Sequence, residues 1–135
     1  MTRDELTAIV QRRALQRCEY CLMHEQLQGA TFHLEHVAPQ SQGGPTALEN
    51  LAWACPACNL HKSDRVQATD PEMNEPTALF HPRQPVWSEH FEWVGYRLVA
   101  RSAIGRTTIA AFRLNHERRQ RIRRAEELFG LFPPG

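Results

Sequence analysis

Apolar positions at the start of the chain recur in steps of three and four. Leu6, Ile9, Val10 and Ala14 form a helical stripe and predict a helix over 2–17. Thr2 and Glu5 have capping-box spacing at its start. Arg12, Arg13 and Arg17 fall near its end, where cations suit the helix dipole. The pattern then changes. Residues 31–37 are rich in β-branched and aromatic types and predict a strand, after a loop or short turn over 22–29. Pro39 to Thr46 is turn-rich and holds Gly43-Gly44-Pro45. Leu51-Ala52-Trp53-Ala54 is the return strand. Pro56 suits the first turn of a helix that runs to about Arg65, ahead of the break at Thr69-Asp70-Pro71. The local order is strand, loop, strand, helix.

The second half reads differently. Pro71, Pro76, Pro82 and Pro85 make 70–85 an irregular surface connection. From 86 to 115 the pattern predicts an antiparallel β-meander with strands over 91–94, 96–102 and 107–114, and turns at Gly95 and Gly105. Trp87, Phe91 and Trp93 are expected mostly buried. A final helix follows, capped by Asn115, with Glu117 in its first turn and Ile122, Ala125, Leu128 and Phe129 on its apolar face. Gly130 and Pro133-Pro134 end it. The fold class is α+β.

The chain has 135 residues, 41% of them hydrophobic. That fits one domain, 1–135, with a modest core, and a domain of this size often gains from a structural metal. No apolar run approaches the ~20 residues of a membrane helix, and no hydrophobic signal core follows the N-terminus, so a cytoplasmic protein without membrane contact is expected. Net charge is +1, which excludes a molecule that is basic all over. Arg118, Arg119, Arg121, Arg123 and Arg124 nevertheless crowd one segment, either as a solvated helix face or as a polyanion patch.

All four cysteines lie in two pairs, Cys18-Glu19-Tyr20-Cys21 and Cys55-Pro56-Ala57-Cys58. A disulfide framework needs an oxidising compartment. A redox pair would explain only one of the two motifs. A tetrahedral zinc site uses all four thiolates, Cys18, Cys21, Cys55 and Cys58, and is the reading adopted. Haem attachment fails because Leu22 and Asn59 stand where histidine is required. Four thiolates saturate zinc, so this ion is structural.

Glu35-His36, then Gly43-Gly44, Asn50-Leu51, and Cys55-Pro56-Ala57-Cys58-Asn59 with Lys62 resemble the HNH endonuclease family. The resemblance covers about residues 18–65. Beyond it, Leu79-Phe80-His81-Pro82-Arg83, Trp87, Glu89-His90-Phe91 and Gly105-Arg106 are similar to the tail of a bacterial HNH subfamily, with no chemistry attached. The family implies a ββα-metal core, a hairpin and a helix around one catalytic divalent ion. The strand, strand, helix order read from the residues agrees. The expected whole is a single HNH nuclease domain: a zinc-pinned ββα-metal core over 18–65, an N-terminal helix, and over 86–132 a β-meander with a final helix.

The resemblance also implies roles. His36 matches the general base, a task that suits imidazole because histidine titrates near neutrality. Glu35 matches a metal ligand that is most often Asp or His, and its carboxylate suits Mg2+, Mn2+ or Ni2+. Asn59 matches the second ligand, through its amide carbonyl. Asn50 matches a buttress that fixes the loop bearing the base. Helical spacing puts Lys62 on the face of Asn59, with Arg65 one turn on, as phosphate contacts that position DNA without reading its sequence. His33 shares a strand face with Glu35 and is either a packing or surface residue or a metal or phosphate contact. His61 lies about 200° around the helix from Asn59. The implied activity is metal-dependent hydrolysis of phosphodiester bonds in DNA, with RNA left open and oligomeric state unassigned. The alternative is a non-catalytic zinc module that binds nucleic acid through Arg65 and the arginine-rich helix.

Overall fold

Thr2 opens the first helix as its spacing requires. Its hydroxyl accepts from the Glu5 amide at 3.1 Å, and its own amide donates to the Glu5 carboxylate at 3.0 Å. Helix α1 (Arg3–Arg13) buries Leu6 and Val10. It stops sooner than the apolar stripe suggests, because Leu15 and Gln16 turn into the left-handed region, with φ of 56° and 60°. These coordinates form a computed structural model that describes residues 1–84 and 86–134. Pro85, the end of the predicted 70–85 connection, and Gly135 lie outside the described residues.

Strands β1 (His33–His36) and β2 (Leu51–Ala54) pair antiparallel, with His33 opposite Ala54 and His36 opposite Leu51. β2 is buried along its whole length. Helix α2 (Pro56–Lys62) follows at once, with Cys55 as its N-cap and Pro56 in its first turn. It ends before the predicted Arg65, where Ser63 takes φ 53°. These elements belong to a first compact unit, Met1–Arg65 with His81–Arg83. Within it the Arg83 guanidinium pairs with Glu19, and the other Glu19 oxygen accepts from the Trp53 amide at 2.8 Å.

The second unit, Val66–Phe80 and Gln84–Gly135, departs further from expectation. The stretch predicted as an irregular connection contains half of a hairpin, β3 (Gln67–Thr69) with β4 (Pro76–Ala78). β5 (Phe91–Val94) and β6 (Arg97–Ala100) form a second hairpin around Gly95, whose φ is 61°. There the meander stops. The predicted third strand over 107–114 is helical instead: α3 (Ala103–Phe112) occupies that region. Thr107 and Thr108 mislead a propensity argument, because packing decides here. Ser102 caps the helix by accepting from the Gly105 amide at 3.0 Å. Thr108 returns its hydroxyl to the Ile104 carbonyl at 2.7 Å, while that hydroxyl accepts from the Phe80 amide at 2.9 Å. Gly105 is no turn; a Cβ there would come within 2.0 Å of the His90 carbonyl oxygen.

Helix α4 (Glu117–Leu128) also corrects the pattern. His116 caps it, while Asn115 clasps β6, accepting from the Leu98 amide at 2.7 Å and donating to the Leu98 carbonyl at 2.8 Å. Its buried residues are Arg119, Arg123 and Glu126, and the predicted apolar face is largely exposed, Leu128 and Phe129 above all. Arg119 donates to the Phe112 carbonyl at 2.8 Å, and Arg123 to those of Tyr96 and Leu114 at 2.7 and 2.6 Å. Two of the crowded arginines therefore satisfy backbone acceptors inside the unit. Phe91 is buried as expected, whereas Trp87 and Trp93 are half-buried and stack with it and with Phe132. Among the described residues the architecture is mixed helix with three two-stranded antiparallel sheets.

Asp70, 1% exposed, receives the Arg106 guanidinium through two bonds of 2.8 and 2.6 Å. That pairing holds its carboxyl well below the usual carboxylate range. A depressed carboxylate pKa adds stability that is complete above the unfolded value of about 3.9 and is lost as pH falls toward the folded one. Asp70→Asn is expected to lower the melting temperature near neutrality, with the deficit shrinking below about pH 4. Thermal scans of both proteins across that range check it, and a deficit that stays constant down to acid pH would contradict it.

Candidate active site

The first cysteine pair forms a tight turn. The Leu22 amide donates to the Cys18 carbonyl at 2.8 Å, and the turn forces Leu22 to φ 62°. The second pair straddles the start of α2, where the Cys58 amide donates to the Cys55 sulfur at 3.4 Å. All four side chains are buried and none forms a disulfide. Their sulfurs lie within 4.8 Å of one another, and Cys21 and Cys55 are 3.8 Å apart. Four thiolates at zinc's bond length of about 2.3 Å stand about 3.8 Å apart in a tetrahedron. Burial pushes the Cys18 and Cys58 thiols up, so four such groups packed together need a cation to ionise. The cluster fits a structural zinc.

Tyr20 sits inside the first cysteine pair, and its hydroxyl donates to Glu35 Oε2 at 2.6 Å. Glu35, on β1, is 6% exposed. Lys62 Nζ lies 2.7 Å from Glu35 Oε1 in an ion pair, and it donates to the Val37 carbonyl at 2.8 Å and reaches that of His36 at 3.4 Å. Burial raises the Glu35 pKa, while Lys62, Tyr20 and the nearby His36 pull it the other way. Lys62, predicted as a phosphate contact, is 1% exposed. The correction has a simple cause: Lys62 follows Cys58 by one helical turn, so it shares the face that carries a buried sulfur. Arg65 is exposed, and its guanidinium folds back onto the carbonyls of His61 and Lys62.

His36 ends β1 and is half-exposed, with Nε2 2.9 Å from Thr46 Oγ1. It begins the long loop that returns to β2. Asn50, 5% exposed, closes that loop. Its Oδ1 accepts from the Ala38 amide at 2.9 Å, and its Nδ2 donates to the carbonyls of Ala38 at 3.0 Å and Pro45 at 2.9 Å. Gly44 lies so close to Ala38 that a Cβ would come within 1.8 Å of its carbonyl oxygen. No side chain other than hydrogen fits there.

Residues 18–65 match the family model described as HNH endonuclease. This match covers less than half of the chain. No curated protein and no solved structure matches the chain. No helix of the described residues is long and apolar enough to cross a membrane.

The matched segment thus groups its predicted residues in three sets: four sulfurs, Glu35 with Lys62, and His36 with the loop that Asn50 holds. Asn59 is half-buried on α2, and its side chain makes no hydrogen bond among the described residues. His33 is exposed at the start of β1. Tyr20 and Thr46 escaped the sequence reading. Nothing in a two-cysteine knuckle marks the intervening tyrosine, and Thr46 is distant in sequence from the histidine it touches.

Two outcomes are expected. Metal analysis of the purified chain should find one zinc per molecule, and its removal or Cys58→Ser should melt the first unit, since binding such an ion is folding free energy. Lys62→Ala should destabilise the protein by about 3–5 kcal/mol, because it leaves the Glu35 carboxylate buried without its cation. Denaturant unfolding measures this, and a loss near zero would show that the pair contributes nothing.

Proposed function

We propose that the chain is a metal-dependent endonuclease that hydrolyses phosphodiester bonds in DNA, with His36 as general base. One observation carries the reading: the segment matched to HNH endonucleases is the one in which a half-exposed histidine is tied to a loop locked by a buried asparagine. The chemistry needs a deprotonated water, stabilised phosphoryl charge and an in-line geometry. His36 takes the proton of the attacking water. The water oxygen bonds to phosphorus, and the bond to the 3′ oxygen breaks. The products are a 5′ phosphate and a 3′ hydroxyl, the latter protonated from solvent.

Glu35 and Asn59 would hold the divalent ion. Both offer oxygen donors suited to a hard cation. Tyr20 orients the carboxylate through Oε2, while Oε1, paired with Lys62, keeps a second lone pair. The ammonium on the same oxygen weakens its pull on a second cation. When bound, the ion neutralises charge on the phosphoryl and leaving oxygens. Among basic side chains, Arg65 is the exposed candidate for phosphate contact on this segment. The rival reading, a binding module without catalysis, loses part of its basis because Arg119 and Arg123 are spent inside the second unit.

Incubation of supercoiled plasmid with the protein and Mg2+, Mn2+ or Ni2+ tests the activity, with branched, single-stranded and RNA substrates alongside. His36→Ala is expected to slow nicking by roughly 10²- to 10⁴-fold. Undiminished nicking by that variant would remove His36 from the role.

A further inference from the structure

Thr46 is held opposite His36 by contacts that do not involve the imidazole itself. Its neighbour Pro45 offers a carbonyl to Asn50 Nδ2 at 2.9 Å, and Asn50 is anchored in turn on both backbone groups of Ala38. The close approach of Gly44 to Ala38 brings the two ends of the loop together. The Thr46 hydroxyl then meets His36 Nε2 at 2.9 Å, and Gln40 Nε2 donates to the same oxygen at 3.2 Å.

A histidine that takes a proton from water must offer one nitrogen lone pair, and the partner of the other nitrogen decides which one. A threonine oxygen can accept two hydrogen bonds. With Gln40 on one lone pair, the second is left to accept from His36 Nε2. From this geometry we infer that Thr46 is the positioning residue of His36: its oxygen accepts the Nε2 proton, which holds the ring in one tautomer and leaves Nδ1 as the base. The inference rests on the nuclease reading above. It also gives Asn50 and Gly44 a route to the chemistry, through Pro45 and Thr46. When Nδ1 takes the proton of water, the ring becomes cationic, and the bond from Nε2 to Thr46 becomes a charge-assisted one and strengthens.

The test compares the zinc-loaded wild type with Thr46→Val, which keeps the shape and loses the hydroxyl, and with Thr46→Ser, which restores it. Thr46 is exposed, so neither change threatens the fold; amide spectra confirm that, and Thr46→Ala substitutes if the valine variant is perturbed. Nitrogen-15 shifts of the neutral His36 ring, assigned by their loss in His36→Ala, report the tautomer without any catalytic metal. Wild type and Thr46→Ser are expected to carry the proton on Nε2, and Thr46→Val to show a mixture. In plasmid nicking with Mn2+, Thr46→Val is expected to lower kcat by roughly 10- to 100-fold, with KM little changed and Thr46→Ser close to wild type. A wild-type ring protonated on Nδ1, or a valine variant with the wild-type tautomer and kcat, would overturn the inference. A wild-type chain that cleaves no substrate sinks the nuclease reading instead, and the ring shifts still decide the role of Thr46.

Discussion

A carboxylate taken out of water costs several kcal/mol unless a charge and hydrogen bonds meet it. In the first unit that carboxylate is Glu35, and three separate segments supply what it needs. β1 carries it, α2 brings the Lys62 ammonium, and the first cysteine pair brings the Tyr20 hydroxyl. The cysteine cluster joins two of these segments, since Tyr20 lies between Cys18 and Cys21 and Lys62 stands one turn beyond Cys58. Cysteine cluster and ion pair thus hold the same helix to two different neighbours. The four sulfurs tie the first cysteine turn to the start of α2, and the buried pair ties α2 to β1. Either device alone would leave a costly orphan, four crowded thiols in one case and a lone buried charge in the other.

Lys62 has a second consequence. Its remaining contacts go to the carbonyls of His36 and Val37, which belong to the end of β1 where pairing gives way to loop. Backbone groups at such a place need partners. One lysine therefore neutralises the strand's acidic residue and steadies the backbone of the histidine that follows it. Adjacent strand residues point to opposite faces, which agrees with Glu35 being buried and His36 half-exposed. An internal contact on one face can then stiffen the backbone that presents a partly exposed imidazole on the other.

How much of this was legible follows from which residues act locally. The capping box of Thr2 and Glu5, the hairpin of 33–36 with 51–54, Pro56 at the start of α2 and the four-cysteine cluster are all encoded within a few residues of where they act. Asn50 and Gly44 were legible through the family resemblance, though only coordinates reveal the Ala38 carbonyl as the shared reason for both. For Lys62 the expected face depends on which neighbour the spacing is counted from. Spacing from Asn59 suggests a surface contact, whereas spacing from Cys58 puts it on the inner face. The second unit resisted for a different reason. Thr107 and Thr108 carry β propensity, but they sit in a helix because Ser102 caps it and because their hydroxyl-bearing side chains fill buried positions. Propensity is a weak signal wherever tertiary packing has a preference.

The arginine-rich helix shows the same limit for charge. Read along the chain, five arginines between 118 and 124 look like an electrostatic surface. In the fold, Arg119 and Arg123 close the carbonyl groups of Phe112, Leu114 and Tyr96, and the Arg123 guanidinium also lies 4.9 Å from the centre of the Trp93 ring. Arg121 pairs with Glu117, and Arg124 lies over Tyr96. A guanidinium suits such work because its planar fork of donors satisfies several acceptors at once and stacks on aromatic rings. Lysines in these places would leave carbonyls unmatched. The choice of arginine over lysine in this helix thus reflects the geometry of backbone acceptors and aromatic faces, and net positive charge along the sequence is a poor guide to the charge presented to a polyanion.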